Sequence, residues 1–273
     1  MFQYATARAV ALRNNAHLHV DVRSYQDVKR WRDYQLWRFD LPVAARLSVT
    51  GILRGTIAKS FRGIGSMERP NTFVRMGLGV YPEVFDLRNG VTLQGQFQSH
   101  RYFSDYEKII RKEFDLERFL TPRDGQALRR LAEGYPLVSL HVRRGDYVGS
   151  SSFSLERIDD YYEKAVETVA NRVPGARFII FSDDPEWCKE WWIKTKYEMA
   201  VFSSRCFCRN LLSDLAAMAH CSHNIIANST FSWWAAWLNR SPGKLVVMPS
   251  RWLNPWSTNE CGLDVPGWLQ IVW

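Results

Sequence analysis

The sequence lacks the marks of several large protein classes. Its 273 residues contain no apolar run of 18 residues and open with no signal peptide, so we expect no membrane span and predict a cytoplasmic location. They contain no internal repeat and no low-complexity tract. The five cysteines are an odd number without the spacing of a disulfide framework, which favours a reducing compartment. These absences leave a globular protein of the cell interior.

Two metal-binding patterns are also missing. There is no Cys-x-x-Cys knuckle, so core thiols and a helix surface explain the candidate zinc ligands better than a zinc site does. Those candidates are Cys206, Cys208, His220, Cys221 and His223. There is no Asp-x-Asp, the pattern that chelates a divalent ion to a nucleotide diphosphate, and Asp184 in the run Asp183-Asp184-Pro185 is explained as a helix cap. We therefore predict a site without a metal and without another cofactor.

Positive charge and aromatic rings are what the sequence has in excess. A formal net charge of +8 favours an anionic partner, which is a nucleic acid, an anionic lipid or a nucleotide-bearing substrate. No nucleic-acid-binding motif is visible, and the 12 tryptophans hint at sugar recognition. A basic amphipathic helix predicted over 44–61 either lies against the inner membrane surface or, as is commoner, is a domain helix with a solvated face.

The length suits two domains, for which we predict the ranges 1–135 and 136–273. The first begins with a helix that ends at Asn14-Asn15 and continues as a strand over 17–22, so its expected opening strand is missing. Its other predicted elements are a loop-rich segment 63–79, a strand 91–97, a helix 105–119 and a linking helix between 121 and 136.

Strands and helices alternate regularly in the second domain. Strands are predicted to start at residue 137 and to cover 177–181, 199–202, 224–227 and 245–248; helices are predicted over 158–169, from 185, over 211–221 and over 231–238. Strands separated by helices form a parallel sheet with right-handed crossovers. The second domain is therefore predicted to be Rossmann-like.

The strand that starts at residue 137 is followed directly by charged residues at its carboxyl end. Its sequence is Leu-Val-Ser-Leu-His-Val followed by Arg143, Arg144, Gly145 and Asp146. Open α/β sheets bind ligands at the carboxyl ends of their strands. Because successive side chains point to opposite faces, at most one arginine contacts the ligand and the other braces the sheet. The alternative interpretations are a surface arginine pair and a chance Arg-Gly-Asp adhesion tripeptide.

A second candidate lies where strand 224–227 turns into helix 231–238. The amides of the first helical turn face the same sheet edge as Arg143 and form an anion site. Simple capping by Ser229 or Thr230, worth about 1 kcal/mol, is the alternative, and the two interpretations are compatible. Asp214, near the start of the preceding helix, either complements the helix dipole or accepts paired donors from a guanine edge. Trp233, Trp234 and Trp237 are interpreted as core residues.

Five segments together resemble the bacterial α1,2-fucosyltransferases. They are the opening Met1-Phe-Gln-Tyr-Ala, Gly95-Gln-Phe-Gln-Ser-His-Arg-Tyr-Phe103, His141-Val-Arg-Arg-Gly-Asp146-Tyr-Val, Phe181-Ser-Asp-Asp-Pro185 and Ile225-Ile-Ala-Asn-Ser-Thr-Phe-Ser-Trp-Trp-Ala-Ala-Trp237. The resemblance implies a GT-B architecture of two Rossmann-like domains facing across a cleft, an acceptor-side first domain and a second domain that binds GDP-fucose. In those relatives an apolar strand and a Gly-rich loop ending in Gly-Asn-Gln precede the Met-Phe-Gln-Tyr match, whereas this chain begins at Met1.

The resemblance also implies a reaction and residue roles. Arg143 or Arg144 would bind the β-phosphate, His141 and Asp146 would organise the site, and Asp214 would read guanine. The turn residues that would hold the diphosphate are Asn228, Ser229, Thr230 and Phe231. Fucose would pass with inversion and without metal to the 2-hydroxyl of a galactose-terminated glycan during surface polysaccharide assembly. The alternatives are a GDP-sugar-binding protein with impaired catalysis, because the opening loop is missing, and a fucosyltransferase of different linkage.

Overall fold

The computed structural model describes residues 1–22, 34–42, 71–153, 157–197, 199–202 and 211–273. The chain forms two compact units, Met1–Asp115 and Leu116–Trp273. The second unit begins before residue 136 because the turn Glu117–Phe119 and the helix Pro122–Ala132 pack against the helix Leu211–Ala219. The division of function between 1–135 and 136–273 stays a prediction, as does the GT-B arrangement. The predicted helix 44–61 and Cys206 and Cys208 lie outside the described residues.

The first unit is built around one helix and a small parallel sheet. Helix α1 (Phe2–Arg13) packs on the 3-10 segment His100–Tyr106, and the two-stranded sheet pairs β1 (Asn71–Arg75) with β2 (Val91–Gly95). The predicted helix 105–119 is shorter and broken: helix α2 covers Glu107–Glu113, and separate 3-10 turns flank it. The other described 3-10 segments are Leu36–Arg38 and Pro82–Asp86.

The strand predicted over 17–22 is wrong. These residues form no regular element, and their side chains alternate between exposed and half-exposed positions without one that is buried. A strand is stabilised by a hydrogen-bonded neighbour and a covered face, and alternation alone supplies neither. Conversely, β1 lies in the segment predicted to be loop-rich. It pairs with β2 so closely that a Cβ on Gly95 would lie 1.9 Å from the Arg75 carbonyl oxygen.

The second unit contains the predicted parallel sheet. After helix α3 (Pro122–Ala132) come β3 (Leu137–Val142), α4 (Ile158–Arg172), β4 (Arg177–Ser182), α5 (Pro185–Trp192), β5 (Met199–Phe202), α6 (Leu211–Ala219), β6 (His223–Ile225), α7 (Thr230–Leu238), β7 (Val246–Pro249) and β8 (Leu269–Ile271). All neighbours are parallel, in the order β5-β4-β3-β6-β7-β8. The chain therefore builds outward from β3 in one direction and from β6 in the other, as in Rossmann-like sheets.

The central strand and the last helix are buried almost throughout. All six residues of β3 are buried, and so is α7 from Ser232 to Leu238. Trp233 is fully buried, and its indole N–H donates to the Leu263 carbonyl oxygen at 2.8 Å. Trp234 and Trp237 are 2% and 3% exposed, so the interpretation of all three rings as core residues is confirmed. The core thus fixes β3 and α7, the two elements that carry the candidate site.

Candidate functional site

The sheet order reverses between β3 and β6, and the predicted site residues follow these two strands. Ligands of open α/β sheets bind where the strand order reverses. Two hydrogen bonds join the segments that follow the strands: His141 Nδ1 lies 2.8 Å from Ser232 Oγ, and the Tyr147 hydroxyl donates to the Asn228 carbonyl oxygen at 3.1 Å. The structure therefore brings residues 141–147 and the turn 228–232 together, and it does so through His141 and Tyr147.

Arg143 is held by two carboxylates at this sheet edge. One guanidinium nitrogen lies 2.5 Å from Asp146 Oδ1 and another lies 2.6 Å from Asp183 Oδ2. The Arg143 side chain remains 28% exposed, and the guanidinium carbon lies 5.7 Å from the centre of the Tyr147 ring. Arg143 is thus anchored and still partly exposed, which is compatible with contact to a phosphate.

Arg144 has a different environment. Its Nε lies 3.0 Å from Asp184 Oδ2, and its guanidinium carbon lies 4.3 Å from the centre of the Trp187 ring. Asp184 also caps α5 by accepting from the Trp187 backbone N–H at 3.2 Å, which confirms its interpretation as a cap. Arg144 therefore braces the end of β3 against α5. Arg143 is the more exposed arginine of the pair, at 28% of its side chain against 19% for Arg144.

Several residues of this cluster are absent from the predicted site, among them Tyr147, Asp183 and Ser232. Asp183 accepts both from Arg143 and, at 2.9 Å, from the Arg144 backbone N–H. From the sequence, Asp184 is interpreted as a cap and the Asp183-Asp184 run belongs to a segment that resembles the family, but Asp183 is assigned no role in the site. Its place at the end of β4, beside β3, is the signal that could have identified it, because the carboxyl ends of neighbouring parallel strands share one edge.

The turn 228–231 is buried at its start and half-buried at its end. Asn228 is buried and donates from Nδ2 to the Trp252 carbonyl oxygen at 3.1 Å. Ser229 caps α7 by accepting from the Phe231 backbone N–H at 3.4 Å, while Thr230 and Phe231 remain partly exposed. The capping interpretation is confirmed for Ser229. It leaves the positive end of the α7 dipole at the same edge as His141, which is compatible with anion binding.

Asp214 lies on a separate element, in the first turn of the helix that leads into β6. Its Oδ1 is buried without a hydrogen-bond partner among the described residues, and burial raises the pKa of Asp214 to about 6. A carboxylate that lacks a donor can accept one from a ligand. Its assignment to guanine stays a prediction.

His141 is buried beside this cluster and is neutral at pH 7. Burial lowers the pKa of His141 from its ordinary 6.5 to about 4; nearby Asp183 opposes this shift and Arg143 adds to it. His141 therefore contacts the first turn of α7 as an uncharged hydrogen-bonding group, with Ser232 Oγ as its partner.

This burial predicts a loss of stability in acid. Because the unfolded chain takes up a proton on His141 near pH 6.5 and the folded chain does so only near pH 4, stability present above pH 6.5 is lost as the pH falls through this range. We expect protonation of His141 to lower the free energy of unfolding by about 3 kcal/mol over this pH range. Urea unfolding of the parent and of His141→Asn between pH 7 and pH 4 measures it. Equal slopes of stability against pH in both proteins would contradict the burial of a neutral imidazole.

No cluster of three or more potential metal-ligating side chains occurs among the described residues. His220 lies 3.2 Å from Glu117, His223 accepts from the Leu245 backbone N–H at 2.9 Å, and Cys221 is a buried free thiol.

In the part of the chain that the structure describes, no helix is long and apolar enough to cross a membrane.

Comparison with known proteins places this chain among sugar-transferring enzymes. The O-antigen biosynthesis glycosyltransferase WbnK of Escherichia coli is 31% identical over 68% of this chain and 62% of its own length. An alpha-1,2-colitosyltransferase of Escherichia coli is 25% identical over 99% of this chain and 94% of its own. A galactoside alpha-(1,2)-fucosyltransferase 1 of Alouatta belzebul is 31% identical over 51% of this chain and 40% of its own length.

Solved structures give a weaker match. A glycosyl transferase family 9 protein from Veillonella parvula DSM 2008 has a TM-score of 0.43 and 14% identity over 99% of this chain and 81% of that one, which is too little to support an argument. The sequence match is decisive: the family model described as glycosyl transferase family 11 matches residues 85–271, which include the whole candidate site. The chain therefore belongs to glycosyl transferase family 11.

Proposed function

We propose that this chain transfers L-fucose from GDP-fucose to the 2-hydroxyl of a terminal galactoside, with inversion and without a metal. The observation that carries the proposal is the convergence of Arg143, His141 and the amino end of α7 where the sheet order reverses. The names of two relatives, a colitosyltransferase and a galactoside fucosyltransferase that both form 1,2 linkages, support the sugar chemistry.

The proposed reaction needs positive charge more than it needs a strong base. As the bond between the fucose anomeric carbon and the β-phosphate oxygen breaks, the ring becomes oxocarbenium-like and the phosphate gains negative charge. The Arg143 guanidinium and the amides of α7 would stabilise that charge, and one preorganised donor is worth about 3 kcal/mol. The acceptor oxygen forms the new bond and gives up its proton; Asp146, which is adjacent to Arg143, is our candidate to receive it.

A metal-free mechanism predicts activity in the presence of a chelator. We expect GDP release from GDP-fucose to be stimulated by lactose and to proceed at the same rate with and without EDTA, because Arg143 and the helix amides replace a cation. The measurement is coupled detection of GDP with product analysis by mass spectrometry. Loss of transfer in EDTA that Mg²⁺ or Mn²⁺ restores would contradict the metal-free proposal. GDP binding without transfer would favour the alternative of a GDP-sugar-binding protein.

The name of one relative makes colitose the main rival donor sugar. The colitosyltransferase aligns over 99% of this chain, whereas the galactoside fucosyltransferase aligns over 51% of it. Colitose is fucose without the 3-hydroxyl, so a site built around that hydroxyl discriminates strongly against it. Comparing kcat/KM for GDP-fucose and GDP-colitose with the same galactoside decides the donor. Analysis of the product linkage tests the 2-hydroxyl and the alternative of a different linkage.

The proposal includes a location for the reaction. The predicted basic helix 44–61 and the net charge of +8 are suited to a cytoplasmic enzyme that contacts the inner membrane surface, where a lipid-linked glycan can be presented. Co-sedimentation with anionic vesicles tests this contact.

A further inference from the structure

We propose that Asp183 is a positioning residue that holds Arg143 in place for the diphosphate. This inference rests on the proposed function and deepens it, because it assigns a role to a residue outside the predicted site. Asp183 is not proposed to touch the substrate. It acts through the arginine that does.

Both oxygens of the Asp183 carboxylate are engaged by the segment that follows β3. Oδ2 lies 2.6 Å from a terminal nitrogen of Arg143, and Oδ1 accepts from the Arg144 backbone N–H at 2.9 Å. A single carboxylate therefore fixes the side chain of one arginine and the backbone of the next. Such charge-assisted bonds are short and directional, which favours one orientation of the guanidinium.

Gly145 supplies independent support. A Cβ at Gly145 would lie 2.8 Å from Asp183 Oδ2 and 3.2 Å from Asp183 Cγ, closer than side-chain atoms ordinarily approach. The glycine between Arg144 and Asp146 is therefore needed for the Asp183 carboxylate to reach Arg143. The contact between Asp183 and Arg143 therefore explains both residues: Asp183 makes the contact, and Gly145 leaves room for it.

Asp183 is better placed than Asp146 to orient Arg143. Asp183 directly follows β4, which is parallel to β3 and pairs with it up to Val142 and Ser182, so the backbones on both sides of the Arg143–Asp183 contact are fixed by the sheet. Asp146 lies only three residues from Arg143 in the same segment and is 36% exposed against 25% for Asp183. A fixed partner reduces the rotamer entropy that Arg143 loses when it binds a ligand.

The test isolates the contact with the β-phosphate. Affinities of GDP and GMP are measured by isothermal titration calorimetry for the parent, for Asp183→Asn and for Glu133→Gln. Asparagine keeps the shape and can still accept from the Arg144 N–H, but it loses the ion pair. Glu133 is the matched control because its ion pair with Arg177 stands at the opposite end of the same strand, β4.

We expect Asp183→Asn to reduce the preference for GDP over GMP by about 10- to 100-fold. Its affinity for GMP should be unchanged. Glu133→Gln should change neither the preference nor the affinity for GMP. Gly145→Ala should reproduce the effect, and the double variant should add little to either single change, because both act on one carboxylate. Thermal unfolding of every variant separates this selective loss from general destabilisation, which would weaken GDP and GMP alike.

The outcomes distinguish this inference from the proposed function. A parent that prefers GDP over GMP, with an Asp183→Asn variant that keeps the same preference, overturns the positioning role and leaves the proposed function standing. Equal losses for GDP and GMP in Asp183→Asn also overturn it. A parent that shows neither GDP binding nor transfer overturns both.

Discussion

Replacing Arg143 by alanine is expected to lower kcat for fucosyl transfer by about 10²- to 10³-fold, because one preorganised cationic donor to the leaving phosphate is lost. Arg143 is the more exposed arginine of the pair, and its anchors Asp146 and Asp183 lie within 2.6 Å. Arg143→Lys should recover only part of the rate, since lysine keeps the charge but loses the planar fork that fits two oxygens. Steady-state kinetics with GDP-fucose and a galactoside measure both variants.

Arg177→Ala is the matched control for this prediction. Arg177 has the same 28% exposure as Arg143 and one carboxylate partner, Glu133, but it stands at the amino end of β4. Arg143→Ala loses two ion pairs and Arg177→Ala loses one, and none of these pairs is fully buried, so both losses in Tm should be small. Only Arg143→Ala should lose turnover. Transfer by Arg143→Ala within a few-fold of the parent rate would remove Arg143 from the proposed mechanism.

Replacing Asp214 by asparagine is expected to weaken GDP binding and to stabilise the free protein. If the carboxylate accepts two donors from the guanine edge, its loss should lower GDP affinity by about 100-fold. It should also reduce the discrimination against IDP, which lacks the 2-amino donor of guanine. Titration calorimetry with GDP and IDP measures both effects. An unchanged GDP to IDP ratio would contradict the guanine assignment.

The gain in stability follows from the raised pKa of Asp214. Burial raises this pKa from 3.8 to about 6, so ionised Asp214 is unfavourable in the folded state above pH 6. The protonated form of Asp214 therefore contributes its full share to the stability of the folded state below pH 3.8, and this contribution is lost as the pH rises through 6. Asparagine removes the cost of burying charge, which we put at about 1 to 2 kcal/mol after allowing for the partial exposure of the site.

A comparison at another helix start separates burial from the helix dipole. Asp159 is exposed in the first turn of α4, where a negative charge favours the helix. Asp159→Asn should therefore lose a little stability at pH 7.5, whereas Asp214→Asn should gain some. Chemical denaturation at pH 7.5 measures both, and a loss of stability in Asp214→Asn would show that its carboxylate is well compensated in the folded protein.

Local patterns predicted most of the elements in the second unit, where hydrophobic periodicity and helix caps are clear. The α/β alternation of the second unit, the cap at Asp184 and the helix start at Ser229 follow from side chains within a few residues of each feature. The same reasoning was wrong for 17–22, which forms no strand and has no buried side chain; among the described residues no strand pairs with it. It missed β8, whose three half-buried residues are ordered by pairing with β7.

The sequence alone determined the alternation of strands and helices, the caps and the motif that identifies the family, because each depends on periodicity and on contacts between residues close in the chain. The tertiary structure decided which carboxylates hold which arginine. The sheet order places the end of β4 beside β3, so Asp183, 40 positions after Arg143, becomes its ion-pair partner. It also joins His141 to Ser232 across the β3–β6 junction. Such pairings depend on long-range packing, which no local pattern of residues records.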